Sequence, residues 1–497
     1  MDRNGRRFWL AFAISTVLLT LLSGSWAIAT PIGAAPDEPA HLIKAASVVR
    51  GQFVGTPSSI GHIVQVPQYV AFTQAQTCFA FDAQETADCS PEVPGDTNAL
   101  VDGYTTAGLY NPLYYVATGW PSLLFDDSTG IYAMRLVSAL IVSAVLGLSF
   151  GLVALKRRAS LPFIGLSVAV TPMVVFLGGT VNPNALEIAA TLTAFVAMLS
   201  IVREPSTSHL VLRTVVLLIA AAIAANMRGL SLLWLAVAVL SPLILLDKAT
   251  LLALLRRRPV QIAIGATAIA VVLALAWLLG SSSLTAALDA VEPVSNAPGV
   301  GTPWYLGFIW TLLSTFDYAL GAIGTFGWLD TPAPAAVYFT WAAIVGGGAI
   351  LTIVVLRGRA LVLALVLMGA VFLLPPILQA IYITEGGVIW QGRYILPLFV
   401  CGIVAMAVLI GDRAVVTTTS VARLAIVVAA LLAVAQFLSF ATALRRYAVG
   451  LGQGWSELLR PEWAPPGGVL LWLVVFAVVA AGAGSAIVIA ARRLPAQ

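Results

Sequence analysis

Apolar runs of about 18 residues or more follow one another along this chain, and they are continuous rather than alternating. A run of that length crosses a ~30 Å hydrocarbon core as an α-helix rising 1.5 Å per residue. The lack of alternation argues against a membrane barrel. The pattern predicts an all-α polytopic membrane protein with about twelve transmembrane helices. They fall at roughly 8–30, 131–155, 159–178, 184–202, 210–226, 229–246, 260–280, 335–356, 360–383, 393–411, 421–441 and 468–491. A hydrophobic fraction of 60% and a mean hydropathy of +0.97 exclude an ordinary soluble protein.

The polar breaks differ by side. With the first residues inside, the short breaks on that side collect eighteen of the 26 Lys and Arg, among them Arg6, Arg7, Arg157, Arg158, Arg256, Arg257, Arg258 and Arg493, against four acids. The other side holds eight basic and seventeen acidic residues, and Glu187 lies within a span. Basic residues in short loops stay cytoplasmic, so both termini are expected in the cytoplasm of a bacterial plasma membrane. Few of the basic residues are Lys, while Ala and Val abound, which suggests a high-GC bacterial genome. Ala27-Ile28-Ala29 looks like a signal cleavage site, but the preceding apolar run exceeds a ~7–15-residue signal core, so the segment is expected to remain.

The long breaks are all on the acidic side: 31–130, 281–334 and 442–467. Loops of such length are usually functional, which puts the working face outside the cytoplasm. Within the first, residues 39–53 space Leu42, Ala45, Ala46, Val49 and Phe53 as one helical face, predicting an amphipathic helix on the membrane. Residues 74–103 are polar and acidic and predict a surface lobe. The stretch from Tyr110 to Phe125 is aromatic but short and interrupted by proline, predicting an interfacial helix. Cys78 and Cys89, eleven positions apart in this loop, are candidates for a disulfide in an oxidising exterior; Cys401 falls in a span and reads as a packing residue. Trp304, Tyr305, Trp310, Phe316, Tyr318, Phe326 and Trp328 fit either an aromatic belt or the wall of a groove for a lipid or sugar.

The candidate chemistry centres on Pro36-Asp37-Glu38-Pro39, with His41 one turn on. Two readings fit the acids. A carboxylate at a low-dielectric interface has its pKa raised and serves as a base, or Asp followed closely by Pro simply caps a helix. His41 either bonds Asp37 or is a satisfied packing histidine. Arg393, at the outer end of a span, either holds a phosphate or snorkels to the interface. Arg135 and Arg228 raise the same question, and Glu187 is placed to pair with an arginine. No phosphate-binding glycine loop, nucleotide fingerprint or Cys/His metal spacing is present, and no nucleic-acid partner is indicated. An extracytoplasmic enzyme needs a donor delivered within the membrane.

Pro36-Asp37-Glu38-Pro39-Ala40-His41 resembles the signature of the bacterial membrane-protein family known as domain of unknown function 2142, which is similar to the GT-C glycosyltransferases. Tyr110-Asn111-Pro112-Leu113-Tyr114-Tyr115, Arg135-Leu136, Asn182-Pro183-Asn184 and Gly392-Arg393-Tyr394 resemble its later elements, in order, over most of the chain. Asn184 stands where relatives often have an acid, and Asn111 where many have Pro or His. The resemblance implies a GT-C-like fold and inverting sugar transfer from a polyprenyl-phosphate donor to a cell-envelope glycan, lipid or protein. It implies Asp37 as base, Glu38 and His41 as its orienting partners, and Arg393, Lys44, Arg135, Tyr394 and Tyr114 around the donor phosphate; no metal or other cofactor is assigned. The alternatives are a transporter or lipid flippase, and a non-catalytic partner in envelope assembly.

Overall fold

The computed structural model describes residues 3–494 except 60, 205–208, 282–297 and 414–416. The first part of the expected loop 281–334 therefore lies outside the described residues. Helix α1 (Arg3–Ala29) leads into a lobe containing α2 (Glu38–Val48), strands β1 (Thr56–Ser58), β2 (Gly61–Pro67) and β3 (Leu100–Thr105), and α3 (Leu113–Gly119). Then come α4 (Thr129–Ala154), the pair α5 (Ser160–Ala169) and α6 (Pro172–Gly178), α7 (Pro183–Arg203), the shorter α8 (Leu210–Ala225) and α9 (Ser231–Leu240), and α10 (Arg258–Gly280). A second pair, α11 (Trp304–Leu313) and α12 (Thr315–Gly324), precedes α13 (Ala335–Val355), α14 (Arg359–Gly386), α15 (Gly392–Arg413), α16 (Thr418–Val449) and α17 (Val469–Arg493).

The protein is a helical polytopic membrane protein, and all twelve expected apolar segments are helical. Among the described residues, nine helices are long and apolar enough to cross a membrane, or eleven if each bent pair is one span. The α5–α6 pair bends by 64°. Pro172 has no N–H and cannot continue α5, and Thr171 caps the new helix by accepting from Val174 N–H. The α11–α12 pair, bent by 58°, is a feature beyond the twelve, inside the expected second loop. Trp304, Tyr305, Trp310 and Phe316 are exposed on it, whereas Phe326 is buried.

Helix α7 is the centre of the bundle. It is apolar on every side, and residues Pro183 to Val202 are all buried. The basic ends of the spans meet the few acids near them. Arg203 pairs with Asp412 (2.8 Å), Arg213 with Glu204 (2.7 Å), and Arg158 donates to the Asp412 carbonyl. The loop lobe and its acids lie at the other end.

Two expectations about the lobe need correction. The helix expected at 39–53 on the membrane surface is shorter, and all eleven residues of α2 are buried in protein. Its charged side chains find partners inside, so no polar face has to reach water. The lobe also contains a three-stranded antiparallel sheet, β1-β2-β3, within a fold expected to be all helix. Val64 and Val66 alternate with exposed Gln65, and β2 and β3 lie against α2. The cysteines Cys78 and Cys89 form a disulfide in the same lobe. The lobe is tied to α16 by Arg446, which donates to the carbonyls of Phe79, Asp82 and Glu85 and to Asp330. Helix α3 buries Tyr114 and Tyr115 and leaves Leu113 and Val116 exposed.

The segment between α1 and α2 is irregular backbone, and its carbonyls have to be satisfied one by one. Arg135 of α4 takes those of Thr30 and Pro31, Trp328 Nε1 that of Gly33, Tyr447 that of Ala34, and Asn182 that of Pro36. Arg135 also donates to the Ala27 carbonyl and, through Nε and Nη2, to both oxygens of Glu38 at 2.8 and 2.5 Å. All five of its N–H groups are thus engaged, and both side chains of the pair are fully buried. Glu38 accepts in addition from Val181 N–H, which ties α2 to the start of α7.

Removing one member of such a pair leaves a buried charge alone. Arg135→Ala should cost about 3–5 kcal/mol, and Arg135→Lys should recover little, because an ammonium cannot reproduce the fork. Thermal unfolding of the detergent-purified protein reads this directly; a loss no larger than that of an exposed ion pair would show that the pair is not the anchor.

Candidate active site

Asp37 ends the pinned segment with φ +65°, the left-handed region that asparagine and aspartate tolerate better than other side chains. It precedes α2 but makes no side-chain bond to the helix's N–H groups, so the capping bond that the sequence allowed is not formed. The carboxylate instead accepts from Arg393 Nη2 at 2.6 Å. The Asp37 side chain is 51% exposed, while that of Arg393 is 4% exposed. One member of the pair thus faces outward and the other is enclosed.

Arg393 is set by the way α15 begins. A Cβ at Gly392 would lie 2.1 Å from the Tyr318 carbonyl oxygen, so only glycine lets α15 start against α12. The strand of chain before it is held by Gln379, whose Oε1 accepts from the N–H groups of Ile389 and Trp390 and whose Nε2 donates to the Gly387 carbonyl. Arg393 Nε and Nη1 are buried and have no hydrogen-bond partner among the described residues. A narrow cavity walled by Pro36, Leu177, Gly321, Leu329 and Gly392 adjoins it.

A second arginine stands nearby. Arg228, in the turn between α8 and α9, lies over the Tyr394 ring at 4.7 Å, and Arg393 flanks the same ring at 5.4 Å. Its counter-charge is Glu187 at 3.8 Å, which also accepts from Ser231 and Asn184. Burial works against the charge of Arg228, but Tyr110, Glu187, Tyr394 and Asp37 together raise its pKa. The centre is therefore two guanidiniums sharing one aromatic face, with a carboxylate beside each.

This field reverses one expectation. Burial alone would raise the Asp37 pKa, as the interface argument supposed. The charges of Arg393 and Arg228, with the hydrogen bond from Arg393, outweigh it and hold the carboxyl below its usual value. Asp37 is an ionised carboxylate across the neutral range.

Other candidates fall elsewhere. Every donor of Arg135 is engaged in the protein, which leaves none for a phosphate, and Glu38 is bound to it and does not touch the Asp37 side chain. Lys44 donates to the carbonyls of Phe53 and Gly108, and burial lowers its pKa to about 8. Tyr114 is buried with its hydroxyl against Ser138 at 2.8 Å. His41 bonds Tyr115 through Nδ1 at 2.9 Å and does not bond the Asp37 side chain. Burial pulls its pKa down to about 3, with Arg228 and Arg393 adding to the effect and Asp37 opposing it. Tyr394 does stand at the centre, through its face rather than its hydroxyl. Among the described residues, no group of three or more His, Cys, Asp and Glu is arranged to hold a metal ion. Arg228 raised the same question as Arg135 in the sequence and was given no role there. Its signal was there in the cost of a cation at the end of an apolar span close to an intramembrane Glu.

The arrangement is that of a helical polytopic membrane protein with a cluster of buried and half-buried ionised groups beneath a folded loop lobe. The chain belongs to the family described as predicted membrane protein DUF2142, whose sequence profile matches residues 19–402. No curated protein matches it in sequence. Among solved structures it is similar to ArnT from Cupriavidus metallidurans, crystallised bound to undecaprenyl phosphate, at 13% identity and a TM-score of 0.46, over 96% of this chain and 76% of that one.

A histidine buried neutral makes stability depend on pH. Unfolded chains take up a proton on His41 near 6.5 and the folded protein does not until about 3, so stability falls as pH drops through 6.5 toward 3. His41→Asn should flatten that part of the profile of unfolding temperature against pH; an unchanged profile would mean that His41 is protonated in the folded state.

Proposed function

We propose that this chain is an integral-membrane glycosyltransferase that moves a sugar from a polyprenyl-phosphate donor to an acceptor hydroxyl of a cell-envelope glycan, lipid or protein. The observation that carries the reading is a half-exposed, ionised carboxylate bound to an enclosed guanidinium whose Nε and Nη1 have N–H groups to spare. Buried donors without partners are costly, and phosphate oxygens accepting from Arg393 Nε–H or Nη1–H would satisfy them with charge-assisted hydrogen bonds. Arg228 supplies a second positive charge at the same place. Such a site binds an anion at the membrane edge and keeps a base next to it.

The chemistry follows from that layout. The acceptor oxygen attacks the anomeric carbon while its proton passes to an oxygen of Asp37. The bond between that carbon and the phosphate oxygen breaks, and the lipid phosphate leaves with the electron pair, needing no proton. Arg393 and Arg228 stabilise the charge that develops on it. Attack opposite the leaving group inverts the anomeric centre. The low pKa of Asp37 ensures that the base is present at neutral pH, and displacement of Arg393 toward the phosphate would free it to accept the proton. The charge pattern of the loops supports an extracytoplasmic working face in a bacterial plasma membrane, with the termini on the other side.

Asn tolerates the left-handed backbone at least as well as Asp, which makes Asp37→Asn a clean test. It should lower transfer by about 10²–10⁴ while leaving polyprenyl-phosphate binding intact; near-normal turnover would remove Asp37 as the base. Arg393→Gln should weaken binding of polyprenyl phosphate, measured by native mass spectrometry. It should also shift the acid limb of the pH profile. With Arg393 in place the Asp37 pKa is lowered, so activity persists down to low pH and is lost as pH falls through that value. Without it, burial raises the pKa and the limb moves to higher pH; a limb that stays put would dissociate the two residues.

A further inference from the structure

At the end of the bundle opposite Asp37, a cavity of about 1090 Å³ runs between α1, α16 and α17. It is larger than the roughly 300–1,000 Å³ of ordinary small-molecule pockets. Its α1 wall extends from Arg6 to Leu22, about 24 Å at 1.5 Å per residue, which exceeds the ~15 Å depth of one hydrocarbon leaflet. The walls are apolar, with Leu10, Leu18, Leu432 and Ile487 among them, and Gly482 lets α17 recede. Arg6, Arg7 and Arg493 are at its mouth, and the lining holds no acidic residue. None of the three arginines has a hydrogen bond or ion pair among the described residues.

We infer that this groove is a binding site for an anionic phospholipid of the leaflet at the basic end of the protein. The apolar walls take the acyl chains, and the three arginines take the phosphate and its neighbouring charge. Each basic residue near an anionic headgroup favours it by about fivefold, so three unpaired arginines at one mouth select an anionic lipid over a zwitterionic one. The site lies at the far end of the bundle from Arg393 and α12, so it serves a lipid other than the proposed sugar donor. It wedges α1 against the last two helices and gives the first helix a stable neighbour on its lipid-facing side.

The test is native mass spectrometry of the full-length protein titrated with phosphatidylglycerol or phosphatidylcholine of matched chains. The wild type should bind phosphatidylglycerol at least about tenfold more tightly. The triple variant Arg6→Gln, Arg7→Gln, Arg493→Gln should lose that preference. Gly482→Leu fills the groove, since a Cβ there meets only the Leu18 side chain at 4.0 Å, and should lower retention of both lipids. Equal affinity of the wild type for the two lipids, or a preference that survives the triple change, would overturn the proposal. So would full lipid retention by Gly482→Leu. Should that variant not purify intact, the triple variant, which alters only side chains at the groove mouth, decides alone.

Discussion

The buried pair between Glu38 and Arg135 is the interaction on which the rest of the site depends. A carboxylate and a guanidinium enclosed together gain little net stability over a well-packed apolar pair, because both lose their water. What they supply is position. The fork of Arg135 fits only one arrangement of the chain leaving α1, and Glu38 fits only one arrangement of the start of α7. Asp37, the residue before Glu38, is thereby fixed on its backbone without using its own side chain. The two adjacent acids have opposite situations, one enclosed and one half open, because one is held and the other is presented.

Around Asp37 the balance of burial and charge is close. Burial disfavours its ionised form, and the guanidiniums of Arg393 and Arg228 restore it. The reverse holds at His41, where the same arginines and the same enclosure keep the ring neutral. Two groups four positions apart are thus both held deprotonated by one field, one as an anion and the other as a neutral ring. The guanidinium pair on the Tyr394 ring is tolerated because each cation has its own carboxylate, Asp37 for Arg393 and Glu187 for Arg228. The two cations are brought together from distant parts of the chain.

The spans were readable because twenty apolar residues leave few other possibilities, and the break at Pro172 follows from proline's missing N–H. The motif at Pro36-Asp37-Glu38 and the arginine at 393 drew notice for a physical reason: charge is expensive at a membrane edge. Their separate fates were not readable. Glu38 and Arg135 look like Asp37 and Arg393 in sequence, each an acid near an arginine at the outer end of a span. Only tertiary contacts show that one pair is closed on every side and the other has donors to spare. Lys44 was misjudged for a related reason. Loop carbonyls of Phe53 and Gly108 satisfy its ammonium, and no periodicity reveals a partner of that kind. The β2–β3 sheet was hidden by its short strands within a long polar loop, although Val64-Gln65-Val66 does alternate.

The carbonyls between α1 and α2 are closed by side chains drawn from across the whole molecule, and this sets an order in time. Asp37 and Arg393 are 356 positions apart, and Tyr447 reaches back 413 positions to Ala34. As the chain is synthesised, the first loop leaves the ribosome long before its later partners exist. The Ala34 carbonyl and the Asp37 carboxylate wait for their partners until α16 and α15 are made. The charged centre is therefore completed late: a chain interrupted before α15 would carry the acidic motif and the Glu38–Arg135 pair but not the guanidinium that Asp37 holds.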